Sequence, residues 1–113
     1  MNEKQALALQ EFNRASELFS VLAEPTRQQI IVLLGIEHAG LNVKQITAEM
    51  RLSRPAVSHH LKELSRVGMI QATKKGTENI YQLKLTESLN QFEYLIDVIR
   101  ESCKSAIAEE ETL

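Results

Sequence analysis

Residues 42–67 read NVKQITAEMRLSRPAVSHHLKELSRV. Two short amphipathic stretches flank Arg51-Leu52. In the first, Asn42 is a strong N-cap type, and Gln45 has the spacing of a capping box, from which its side chain reaches back to the cap. Val43, Ile46 and Met50 fall on one face. In the second, Ser53 is again an N-cap type, and Pro55 lies in the first turn, where a missing N–H costs little. Val57, Leu61 and Leu64 form the apolar stripe of this second helix. Pro55, His59, Lys62 and Arg66 therefore point away from the body, with Arg54 and Ser58 at the leading end. The spacing predicts a helix-turn-helix whose outward face is basic and rich in short donors, a chemistry that suits phosphates and base edges in a major groove. A solvated face that carries charge only for solubility has the same composition, so the flanking sequence has to decide between the two.

Charge distribution favours the first reading. The chain of 113 residues has a formal charge of −2, which alone argues against nucleic acid. Residues 51–76, however, hold Arg51, Arg54, Lys62, Arg66, Lys74 and Lys75 against Glu63 alone, a net of +5, while the other seven cations and fourteen carboxylates sum to −7. Neutralising phosphates needs a local basic footprint of this kind, and an acidic remainder keeps the protein soluble and off unrelated sites. An apolar share of 43% with 25% charged residues is ordinary for one soluble domain, so residues 1–113 are expected to form a single one. No run approaches a membrane span, and Met1-Asn2-Glu3-Lys4 leads into no apolar signal core, so a cytoplasmic protein without membrane contact is expected. A single cysteine, Cys103, cannot form an internal disulfide.

Ahead of the central stretch, Ala8, Phe12, Ala15, Phe19 and Leu22 recur at helical spacing and predict a first helix over 3–22, with charges filling the gaps. Pro25 suits the first turn of a second helix that runs to about Glu37. Ile30-Ile31-Val32-Leu33-Leu34 is apolar all round, which marks that helix as the central buried one. His38-Ala39-Gly40-Leu41 is a loop. Behind the central stretch, Gly68 is placed to end the helix, and residues 69–85 alternate as strands do: Ile70 and Ala72, then Tyr81, Leu83 and Leu85. Lys74-Lys75-Gly76-Thr77-Glu78 lies between them as a basic, Gly-containing tip. A ribbon directly behind a recognition helix is a wing, whose tip can follow flanking phosphates or the minor groove.

Thr86 is a candidate cap for a last helix over about 86–109, with Glu109-Glu110-Glu111 as a frayed tail. Phe92, Ile96, Ile99, Cys103 and Ala106 make a narrow stripe that Leu89 extends and Leu95, Val98 and Ile107 broaden. The first and last helices can pack within one chain, but so small a core predicts a two-fold dimer interface built on Phe12, Phe19, Phe92, Ile96, Ile99 and Cys103. Two reading helices related by a two-fold would meet half-sites about one helical turn apart, ~34 Å, in a pseudo-palindrome.

Leu22-Ala23-Glu24-Pro25-Thr26-Arg27, Ser53 through Leu64 (SRPAVSHHLKEL), Gly68-Met69-Ile70 and Tyr81-Gln82-Leu83 together resemble the ArsR/SmtB family of bacterial winged-helix repressors. The likeness covers roughly residues 15–100, and the recognition-helix run is its most specific part. It implies the order α1-α2-α3-α4-β1-β2-α5, mainly α with a two-stranded wing. It also implies a homodimer through the first and last helices, and repression by operator occupancy that ends when an inducer binds.

The departures bear on sensing. Where soft-metal sensors carry Cys-x-Cys, this chain has Val43-Lys44-Gln45-Ile46, and where last-helix sensors carry Asp-x-His, Asp97 is followed two residues on by Ile99. His38 lies in a loop, and His59 and His60, about 100° apart on one helix, cannot readily chelate one ion. No metal or other cofactor is expected. Cys103 reads first as a small apolar residue in the helix seam; the sharper reading is a redox thiol that meets its twin across a dimer.

Position assigns Arg54, Ser58, His59 and Lys62 to base edges or inner phosphates, and Lys44, Arg66, Lys74 and Lys75 to phosphates, with Ser53 at the start of the same helix. His60 sits nearer the buried margin and reads as a packing residue. Arg51 stands at the turn, where left-handed geometry costs a non-Gly residue roughly 1 kcal/mol, and Glu78 weakens the field of the wing. A sequence-specific DNA-binding repressor is the expected function, with duplex DNA and a second copy of the chain as partners and the inducer unidentified. The alternative is a winged-helix protein-interaction module, an antirepressor or adaptor. An enzyme is not expected, since no phosphate loop or grouping of nucleophile, base and orienter is present.

Overall fold

Polar side-chain caps start the first four helices. In the computed structural model, which describes residues 1–112, Asn2 opens α1 (Glu3–Leu22) with a capping box to Gln5, and Glu24 opens α2 (Pro25–Ile36) by accepting from the Arg27 N–H. Asn42 and Gln45 form the expected reciprocal box at the start of α3 (Val43–Met50), and the Ser53 hydroxyl accepts from the Ala56 N–H to begin α4 (Arg54–Arg66). Between α3 and α4, Arg51 takes the left-handed conformation at φ 55° that the turn demands. After α4, Gly68 at φ 78° lets the Met69 N–H reach the Leu64 carbonyl and close the helix. The wing follows, β1 (Ile70–Lys75) paired antiparallel with β2 (Glu78–Leu83), and then α5 (Thr86–Ser102) and α6 (Lys104–Glu111).

Two apolar clusters hold these elements. The larger joins Leu18 and Val21 of α1, Ile30 and Leu34 of α2, Ile46, the α4 stripe Val57, Leu61 and Leu64, and Met69-Ile70. Each such aliphatic side chain contributes about 1.5–3 kcal/mol by leaving water, so the stripe of α4 is the anchor that turns its polar side out. The smaller cluster is the seam of α1 with α5: Ala8 and Ala15 against Leu95 and Val98. The two helices run antiparallel, with Lys4 bridged to Glu101 at one end and the rings of Phe19 and Phe92 stacked 5.2 Å apart toward the other.

Several expectations are corrected. Thr86 does not cap the last helix; it is already helical, and Leu85 precedes it with no side-chain cap. The last helix is not continuous to residue 109. It breaks at Cys103 (φ −110°, ψ 18°), where the Ile99 carbonyl accepts from both the Cys103 N–H and the Ser102 hydroxyl. The break leaves Cys103 exposed instead of in the seam, and α6 carries the Glu109-Glu110-Glu111 tail in helical form. The buried face of α5 is Ser88, Leu95 and Val98, whereas Phe92 and Ile99 are only partly buried and Ile96 and Ala106 are exposed. In α1, Glu11 does not fill a solvated gap. It is buried against the seam, with Arg14 donating to it at 3.1 Å. Finally, α2 buries only Ile30 and Leu34, because its neighbours all lie on one side; Val32 and Ile36 are 65% and 69% exposed.

The loop before α3 also does more than connect. Leu41 exchanges both backbone hydrogen bonds with Tyr81, which adds a one-residue rung outside β2 and pins the helix-turn-helix to the wing. That approach requires Gly40, at φ +90°, since a Cβ there would lie 2.6 Å from Ile80 Cγ2 and 2.8 Å from the Tyr81 carbonyl oxygen. We expect Gly40→Ala to lower unfolding stability by about 2–3 kcal/mol. Denaturant titration checks this, and an unchanged midpoint would mean that the Leu41–Tyr81 rung does not restrain the loop.

Candidate nucleic-acid interface

Packing of Val57, Leu61 and Leu64 leaves Arg54, Pro55, Ser58, His59, Lys62 and Arg66 of α4 exposed, as the sequence spacing predicted. Ser53, Arg54 and Ser58 gather at the helix N-terminus, where unpaired N–H groups and the helix dipole favour an anion. Lys44 is exposed on α3, two residues before the buried Ile46 and so on the opposite side of the helix. Among the described residues, none of Lys44, Arg51, Arg54, Lys62, Lys74 and Lys75 makes an ion pair, so these side chains are free to meet an outside partner.

Arg66 differs. Its Nε lies 2.7 Å from Glu63 and its Nη1 3.2 Å from Glu17 of α1. The Arg66 hydrogen bond holds the Glu63 carboxyl below its ordinary range against partial desolvation, and the same pair raises Arg66. Two arms of the guanidinium are on carboxylates, one of them on α1, so the geometry makes this residue a strut between α4 and α1 as well as a surface cation. Sequence position alone could not reveal a partner 49 residues away.

The wing is also modified. Lys74 and Lys75 are not in the turn but in β1, opposite Asn79 and Glu78, and the turn itself is Gly76-Thr77 with Gly76 at φ 62°. Successive strand residues point to opposite faces, so the two lysines cannot both line one side of the ribbon. Glu78 is engaged by the Asn42 side-chain amide at 3.3 Å, which directs it toward the start of α3.

His60 lies inside, as expected, and its surroundings are polar. Arg27 Nε donates to His60 Nδ1 at 3.1 Å, Arg27 Nη1 donates to the Val21 carbonyl at 3.3 Å, and Glu24 lies 3.8 Å from the same His60 nitrogen. Glu24 and Arg27 were visible in the sequence only as part of the Leu22–Arg27 run, with no contact to the recognition helix attached. Among the described residues no group of three or more His, Cys, Asp or Glu side chains could hold a metal ion, and no helix is long and apolar enough to cross a membrane.

A helix-turn-helix with a free cationic outer face, backed by a two-stranded wing, defines a winged-helix DNA-binding protein. The sequence pattern described as "Bacterial regulatory protein, arsR family" matches residues 24–72, from the cap of α2 into the wing. An uncharacterized HTH-type transcriptional regulator of Methanocaldococcus jannaschii is 35% identical over 75 residues, covering 66% of this chain and 83% of its own length. The arsenical resistance operon repressor of Staphylococcus xylosus is 29% identical over 91 residues, covering 80% and 85%. Among solved structures, the ArsR-like transcriptional regulator from Rhodococcus sp. RHA1 superposes with a TM-score of 0.75 at 23% identity over 89% of this chain and 93% of that one, a likeness of fold. The chain belongs to the ArsR family of bacterial regulatory proteins. It is a DNA-binding transcriptional regulator and not an enzyme, and the protein-interaction alternative is not favoured.

Proposed function

We propose that residues 1–113 act as one winged-helix domain that represses transcription as a homodimer, occupying a pseudo-palindromic operator in the cytoplasm until an inducer releases it. The observation that carries this reading is the division of α4: one side is fully engaged in the core, while Arg54, Ser58, His59 and Lys62 on the other have no side-chain hydrogen bond or ion pair among the described residues, and only the ring of His60 lies beside His59. These four residues are assigned to base edges and inner phosphates, Lys44 and one of Lys74 and Lys75 to the flanking phosphates, and Ser53 to the helix start.

The dimer assignment has its own support. The radius of gyration is 18.0 Å, against about 13 Å for a compact chain of similar length, because the α1–α5 pair extends from the winged-helix body. That extension carries Leu9, Phe12, Phe19, Leu89 and Ile96 on its surface, more apolar side chain than an isolated pair of helices gains by exposing. A two-fold through this face covers it and spaces the reading helices.

Fragments selected from random duplex DNA by the purified protein should contain an inverted repeat with half-site centres ~34 Å apart. With about four phosphates neutralised per subunit, the logarithm of affinity should fall against the logarithm of salt with a slope of about −7 for the dimer. A selected pool without dyad symmetry, or a slope near zero, would overturn the proposal.

A further inference from the structure

We propose that Arg27 is a positioning residue for DNA reading: its guanidinium ties the last turn of α1 to the recognition helix through His60, and protonation of His60 transfers that helix from Arg27 to Glu24. The inference rests on α4 being the reading helix, and it assigns a role to three residues that do not face the duplex.

The geometry requires one protonation state. Arg27 is a pure donor, so the 3.1 Å contact from its Nε to His60 Nδ1 exists only while that nitrogen keeps its lone pair, which puts the imidazole proton on Nε2. The second arm of the guanidinium, Nη1, is held by the Val21 carbonyl at the end of α1. Arg27 therefore spans two elements, the α1 helix proposed to build the dimer and the α4 helix proposed to read DNA. The His60 side chain is 15% exposed, so its ring cannot swing into water without opening the α2–α4 contact.

A proton taken from solvent by Nδ1 changes this nitrogen from acceptor to donor. The Arg27 Nε–H then has no acceptor and faces a like charge. Glu24 Oε2 stands 3.8 Å from Nδ1 and already accepts from the Arg27 backbone N–H; with a lone pair to spare, it accepts the new N–H once the ring and carboxylate close the remaining gap. The remaining charged neighbours do not cancel the effect. On α4, His59 has its ring centroid 5.7 Å away and opens to solvent, and Glu63 is occupied by Arg66, which also takes up Glu17 of α1. Breaking the Arg27 tie removes one of the two polar links between α1 and α4 and leaves the Arg66–Glu17 link alone to set their relation, on which two-fold recognition depends in both subunits at once.

The test is fluorescence anisotropy with a duplex selected by the protein itself, at constant salt and at pH 7.5 and 5.5. All proteins carry His59→Gln, which removes the imidazole on the DNA face. At pH 7.5, Arg27→Met should bind about tenfold more weakly than this parent, and the parent should itself lose about fivefold on going to pH 5.5. His60→Asn places a non-titrating acceptor near the position of Nδ1. It should match the parent at pH 7.5 and show no loss at pH 5.5. Nitrogen NMR of the imidazole should show neutral His60 with its proton on Nε2, a readout that holds even if Arg27→Met fails to fold. Unchanged binding by Arg27→Met, an acid loss that persists in His60→Asn, or a proton on Nδ1 would overturn the proposal. Lys62→Ala separates the two levels: if it also binds like the parent, the assignment of α4 as the reading helix has failed instead.

Discussion

Phe12→Glu combined with Ile96→Glu should make the proposed dimer monomeric and lower operator affinity about a thousandfold, as expected if two half-site readers act only as a pair. These side chains are 45% and 48% exposed on α1 and α5. The antiparallel pairing that sets Lys4 beside Glu101 and Phe19 beside Phe92 brings residues 12 and 96 to the same level, so they form one patch. Both can be replaced without emptying the Ala8, Ala15, Leu95 and Val98 seam, so the fold of each subunit survives. In a two-fold dimer every substitution occurs twice, and a carboxylate buried without a partner costs several kcal/mol. Four of them exceed the free energy of an interface of ordinary size. The loss of DNA affinity follows because a free subunit has to bind each half-site separately, without the effective concentration that the first contact gives the second. Sedimentation equilibrium and anisotropy on the same samples check the two halves of the expectation. A double variant that stays dimeric places the interface elsewhere on the chain.

What the sequence disclosed and what it concealed follow from the range of the interactions. Asn42 with Gln45, Ser53 with Pro55, and Gly68 are local signals: each satisfies backbone groups within four residues, and α3, α4 and their boundaries stand where those signals put them. The stripe of α4 was equally legible, because three residues spaced by four and three have only one face to occupy. The end of α5 was not. Periodicity continues through Cys103 to Ile107, and nothing in a count of apolar residues registers the change of backbone angles at Cys103 that ends α5. The exposure of Val32 and Ile36 was hidden for another reason, since an all-apolar helix has no polar side to show which face its neighbours leave bare. At the site, the free cations were identified correctly as cations, but the pairing of Arg66 with Glu17 and of Arg27 with His60 joins residues 49 and 33 positions apart, beyond the reach of any local pattern.

That distinction between free and paired cations sets the second large effect. Changing His59 and Lys62 together to alanine should weaken operator binding by about a hundredfold or more, because the dimer loses four donors at the centre of its reading faces, each contributing on the order of 1 kcal/mol. Both are exposed, neither supports the core, and the unfolding midpoint should stay within about 0.5 kcal/mol of the parent. Arg66→Ala should behave in the opposite way despite lying on the same face. Its guanidinium already satisfies Glu63 and Glu17, so its removal releases two carboxylates from α4 and α1, and the effect on stability should exceed the direct effect on phosphate binding. The salt dependence tells the roles apart within the double variant: a phosphate contact by Lys62 flattens the slope by about one unit per subunit, whereas a base contact leaves the slope and relaxes the preference at one position of the half-site. If Arg66→Ala proves as damaging to DNA binding as the double variant at unchanged stability, the duplex draws Arg66 out of its carboxylate pair, and the reading face is wider than the unbound geometry defines.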